Sequence, residues 1–205
     1  MPFSLGRPLG VPGDAGFQID VLRTALGLLE TKSTQPVLEF YESDVPQQGG
    51  EEVPWSCPVS FGSAVVESSW YGRVLNEMNL LRPWYDRSLA ANNVTTVGLS
   101  RLEPTSLPGF LAQFLGEEVE VAAPEGLSLA DALKCAAEDL KAFYSEAAIA
   151  QPGNASARDI EDWYWNQCDA GKLTREIREV CGEHPDQVVR TVARFTLVPQ
   201  SQLAR

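Results

Sequence analysis

The chain has 205 residues, of which 44% are hydrophobic and 21% charged, with a formal net charge of −12 and a pI near 4.5. That is the balance of an ordinary globular protein, far from the low-apolar, high-charge corner where chains stay unfolded. The negative charge repels phosphate backbones and anionic lipid surfaces, and no run of 18 apolar residues is present to cross a bilayer, so neither nucleic acid nor a membrane is an expected partner.

The length suits a single domain, residues 1–205. The opening run Met1 to Pro8 is broken by proline and glycine where a leader's apolar segment would lie, so the expected location is the cytoplasm. Four widely spaced cysteines, Cys57, Cys135, Cys168 and Cys181, then read as reduced thiols. Without secretion, the sequons at Asn93 and Asn154 are chance matches.

Residues 1–13 are rich in Pro and Gly and read as an extended arm. Asp14 is a good N-cap, and Phe17, Val21, Leu22, Ala25, Leu28 and Leu29 recur at helical spacing, which predicts a helix to about Thr31. Val37, Leu38 and Phe40 suggest a short extended segment. From 42 to 61 the breakers Pro46, Gly49, Gly50, Pro54 and Pro58 predict a long loop. A helix is expected from Ser63 to Leu81, and a separate one from Trp84 to Ala91 with Pro83 in its first turn.

Asn92-Asn93 marks a turn, and the β-rich run Val94 to Leu99 predicts a strand that could pair with Val37-Leu38 as a minor β element. Ser106 caps a short helix that closes near Gly116. Ser128 with Asp131, and Ser156 with Asp159, have the spacing of capping boxes at the head of two further helices. In the second, the apolar face formed by Ile160, Trp163, Tyr164 and Gln167 and the face formed by Leu173, Ile177 and Val180 lie about a quarter turn apart, which predicts a break near Gly171. Pro185 opens a last helix through Val188, Val189, Val192 and Phe195, stopped by Pro199. The pattern is mainly α: an irregular multi-helix bundle with an N-terminal arm, a long Pro/Gly-rich loop and at most a minor β element.

With one histidine, His184, and no metal, nucleotide or dinucleotide motif, no metal site or cofactor is expected. His184 reads as a surface or capping residue. The pairs Glu117-Glu118, Glu138-Asp139 and Glu161-Asp162 diverge by 100° on a helix and read as a solvated face. Cys57, between two prolines, is the weak candidate nucleophile; Cys135, flanked by acids, is a poor one.

Aromatic clusters offer more. Trp163-Tyr164-Trp165 sweeps about 200°, wider than one buried stripe, so Trp165 is expected on the polar side, covered by another segment or open to a ligand. Trp70, Tyr71, Arg82, Trp84, Tyr85 and Arg87 mix aromatics with cations that can hold an anionic group, although pairing such as Arg73 with Glu77 on the helix surface accounts for part of that charge.

Two readings follow. The first is an accessory or interaction subunit of a cytoplasmic complex, which binds a protein partner or forms a homo-oligomer through the arm, the loop and outward aromatics. The second is a small-molecule enzyme or binding protein with an aromatic pocket for a small anionic or aromatic ligand, an anchor at Arg82 or Arg87, and Cys57 as nucleophile.

Overall fold

The computed structural model describes residues 9, 14–33, 37, 68–153 and 155–203. The chain divides into two compact units, Met1–Pro54 and Trp55–Arg205. Among the described residues there are seven α-helices, joined by loops and short 3-10 turns, and no strand, so the fold is mainly α. Most of the arm, the loop at 42–61, the start of the helix expected at Ser63, and Cys57 lie outside the described residues.

In the first unit, α1 (Ala15–Gly27) starts where Asp14 accepts a hydrogen bond from the Phe17 amide at 3.0 Å, and a 3-10 turn over Leu28–Glu30 extends it. The apolar residues expected on one face divide between two. Val21 is buried and Phe17 and Leu28 half-buried on one side, whereas Leu22 and Leu29 join Ile19 and Leu26 on the other, which is exposed. Successive residues turn by 100°, so these two sets stand on opposite sides of the helix.

The second unit is built on two long helices, α2 (Trp70–Asn92) and α4 (Leu129–Ile149), packed against each other. Ser69 caps α2 by accepting from the Gly72 amide, and Asn93, in the left-handed region at φ 53°, closes it. Pro83 lies inside α2 rather than at the head of a new helix. It faces solvent, as does Asn79, whose carbonyl loses its helical partner, so water can take the place of the missing N–H. Leu81, Tyr85 and Ser88, buried on the opposite side, carry the helix through the interruption.

No strand forms at 94–99. That segment is a loop, held to α4 by carboxylates described below. The short α3 (Leu107–Ala112) is buried along its whole length against α2 and α4, and the 3-10 turn after it ends at Gly116 with φ 82°. The remaining helices are α5 (Ala157–Asn166), α6 (Asp169–Cys181) and α7 (Gln187–Phe195). Ser156 and Asp159 form the full reciprocal capping box, and Ser128 accepts from the Asp131 amide at 3.1 Å.

The break between α5 and α6 falls at Gln167-Cys168, three residues before Gly171. Gly171 serves a different purpose. A Cβ there would stand 2.1 Å from the Tyr164 carbonyl oxygen and 3.0 Å from the Trp165 Cα, so only glycine lets α6 fold back this closely on α5. With α4 on one side and α6 on the other, α5 buries Trp163, Tyr164 and Trp165 together. The 200° sweep is therefore divided between two neighbours and does not force Trp165 outward. Tyr144 is the centre of this core: it is fully buried, with ring centroids 5.5 Å from Tyr164 and 6.0 Å from Trp163.

Candidate functional site

The aromatic and arginine residues singled out above do not converge. Trp70 and Trp84 are fourteen positions apart on α2, about 21 Å along its axis. Trp70 is half-buried beneath the Arg73 guanidinium, 3.8 Å from the ring centroid, and its amide and that of Tyr71 donate to Glu117. Arg82 is exposed and paired with Asp86 at 2.7 Å, one helical turn on. Arg87 is exposed, 5.7 Å from the Trp84 ring. Tyr85 is a core residue, stacked on Phe143 with its hydroxyl 3.1 Å from that of Thr95. Trp165 is 2% exposed, with the cations of Lys141 and Arg175 5.7 and 5.6 Å from its ring.

Four carboxylates brace the unit from within. Asp139, one of the acids read as a solvated face, is wholly buried and accepts from the amides of Gly98, Leu99 and Ser100 and from the Ser100 hydroxyl, at 2.6–2.9 Å. Glu146 takes the Thr96 amide and the hydroxyls of Thr95 and Thr96. Glu117, another of those acids, caps the first two residues of α2.

Glu77 reaches from α2 to the N-terminus of α6, where it accepts from the Asp169 and Ala170 amides at 2.8 and 3.2 Å and from the Tyr144 hydroxyl at 2.8 Å. It is not the surface partner of Arg73. Burial raises its pKa above the ordinary 4.5, against the lowering effect of those three hydrogen bonds. Burial and the Glu77 charge together push the Tyr144 hydroxyl well above the usual tyrosine value.

The surface feature that combines shape with chemistry lies elsewhere, at the end of α6 and α7. A cleft of about 430 Å³ is lined by Arg178, Glu179, Gly182, Glu183, Arg194, Phe195, Gln200 and Leu203. Its shape follows from how α7 is tied back to the turn after α6. Arg194 donates to the Gly182 carbonyl and to Glu183, both at 2.7 Å, and Arg190 donates to the carbonyls of His184 and Pro185. Cations at these carbonyls also answer the negative end of the α6 dipole.

His184 accepts from the Asp186 amide through Nδ1, which places the single histidine in the capping of α7. Arg178 pairs with Glu179. Phe195, 73% exposed, stands at the edge of the cleft, with Leu203 beside it and Val180 and Val188 exposed on the same two helices.

The sequence sets Val188, Val189, Val192 and Phe195 together as one apolar run of the last helix. The buried side of α7 is instead centred on Val189 and Ala193, which turns Val188 and Phe195, seven residues apart, outward together. No group of three or more His, Cys, Asp or Glu side chains is placed to hold a metal among the described residues, and no helix among them is long and apolar enough to cross a membrane. Compared with protein-family models, with curated proteins and with solved structures, the chain matches none of them.

Proposed function

We propose that the chain is an accessory or interaction subunit of a cytoplasmic protein complex, and that it binds a partner chain at the α6–α7 cleft. The observation that carries this reading is the exposed Phe195 beside a cleft whose arginines and glutamates are already paired with each other or with backbone carbonyls. An aromatic anchor ringed by paired polar groups is the usual makeup of a binding hot spot, in which the ring supplies the energy and the rim excludes water. A small anion would find the Arg178 and Arg194 charges engaged, and the aromatics expected to build a ligand pocket are spread along α2 or buried under α6.

The test is recovery of the tagged full chain under mild conditions from cells that make it, beside a Phe195→Asp variant. A stoichiometric partner that is held by the native chain and lost from the variant supports the reading. Recovery of the chain with no stoichiometric partner, or equal recovery of one by both forms, refutes it.

A further inference from the structure

The second apolar face of α1 is a seam. Ile19, Leu22 and Leu26 of α1, with Leu29 on the 3-10 turn that extends it, are 52%, 45%, 61% and 81% exposed, and in helical projection their 3-4-3 spacing confines them to an arc of about 80° turned away from Val21. This is the a/d repeat of a helix that packs against another helix, with Ile19 and Leu26 at a and Leu22 and Leu29 at d. The flanking e positions carry Arg23 and Glu30; both are exposed, and neither is in an ion pair among the described residues.

We propose that α1 pairs in antiparallel fashion with α1 of a second copy of this chain. In that register Ile19 meets Leu29 of the second copy and Leu22 meets its Leu26, and a two-fold axis repeats both layers. Antiparallel packing sets e beside e along one flank, so on that flank Arg23 lies against Glu30 of the second copy and Glu30 against its Arg23, while the uncharged Gln18 and Ala25 occupy the other. A parallel pair would oppose Arg23 to Gln18 and Glu30 to Ala25, with no charge match on either side. The apolar spacing calls for a helix as the occupant, and the charge pattern selects the seam's own copy in reversed direction. Two heptads make a short seam, so the dimer dissociates reversibly at micromolar concentrations.

The proposal rests on reading the chain as an interaction protein, but it is tested on the purified full chain alone, so its outcome is separate from partner recovery through Phe195. Sedimentation equilibrium should give a reversible monomer–dimer system that Leu22→Glu with Leu26→Glu abolishes. Arg23→Glu and Glu30→Arg should each weaken the dimer by about tenfold or more, since each creates two like-charge contacts. An equimolar mixture of those two variants should restore it as a heterodimer with both ion pairs re-formed. All four positions are exposed, and circular dichroism checks that the helices are retained. A chain that stays monomeric at high concentration, a dimer indifferent to Leu22 and Leu26, or charge variants that fail to recover on mixing would each overturn the assignment.

Discussion

Tyr144→Phe removes one hydroxyl from the centre of the core and nothing else. The lost contact is the 2.8 Å hydrogen bond to Glu77, and both residues are buried, so no solvent takes the vacated place. Its worth depends on the charge of Glu77. With the carboxylate ionised, the bond is to a charged acceptor and contributes about 1.5–3 kcal/mol; with it protonated, about 0.5–1.5 kcal/mol.

The pKa of Glu77 is raised in the folded protein, so the native state holds this proton to higher pH than the unfolded chain does. Stability from this group is therefore fully present below about 4.5 and is lost as pH rises through the folded value. The Tyr144 hydroxyl favours the ionised form and limits that loss. Removing it raises the Glu77 pKa further and widens the window over which stability falls. Urea denaturation of both proteins at pH 4 and pH 7 should show Tyr144→Phe costing about 1 kcal/mol more at pH 7 than at pH 4. An equal cost at the two pH values, or a larger one in acid, would refute the assignment of Glu77 as an ionisable brace.

Two further substitutions test the packing. Gly171→Ala should cost about 3 kcal/mol, the upper end for overpacking, because the new methyl meets the Tyr164 carbonyl and the Trp165 Cα, which are backbone and can move only with α5. A drop in Tm of roughly 6–12 °C by calorimetry is the expected result, and an unchanged Tm would contradict the close approach of the two helices. Asp139→Ala should strip the amides of Gly98, Leu99 and Ser100 of their acceptor and cost about 2 kcal/mol or more. Hydrogen exchange should quicken at those three amides while the middle of α4 stays protected; unchanged protection in the loop would sink the claim that this carboxylate organises it.

Helix starts were legible because their causes are local. Asp14, Ser128 and Ser156 each accept from an amide three residues on, a contact that needs no distant partner. The failures share the opposite property. The β-rich run at 94–99 has strand propensity, but the acceptors that claim the amides of Thr96, Gly98 and Leu99 sit on α4, forty to fifty residues later, and they bind a loop. Pro83 reads as a helix start until it is known which side of α2 faces water. Gly171 reads as a hinge until the Tyr164 carbonyl is placed beside it.

The site was harder to see than the fold for a related reason. Periodicity tells which residues of a helix share a face, but only the neighbours decide which face is covered. On α7 a wide apolar arc hid the difference between Val189 and Phe195. On α1, one stripe read from the spacing was two.

The placement of charge bears on what the cleft can recognise. Of 28 acidic residues against 16 basic ones, Glu77, Glu117, Asp139 and Glu146 are used to fasten loops and helix ends, so the acidity is partly structural. The arginines around α6 and α7 are bound to carbonyls in the same way: Arg175 to Gln202, Arg190 to His184 and Pro185, Arg194 to Gly182. A cation donating to a helix-end carbonyl must break that bond before it can close on an incoming phosphate or carboxylate, and each such bond costs about 1.5–3 kcal/mol to lose. Selective capture of a small anion would thus have to offset the unfastening of the α6–α7 turn. A protein surface that covers Phe195 and leaves those bonds intact meets no such cost, so the recognition we propose there draws mainly on apolar contact.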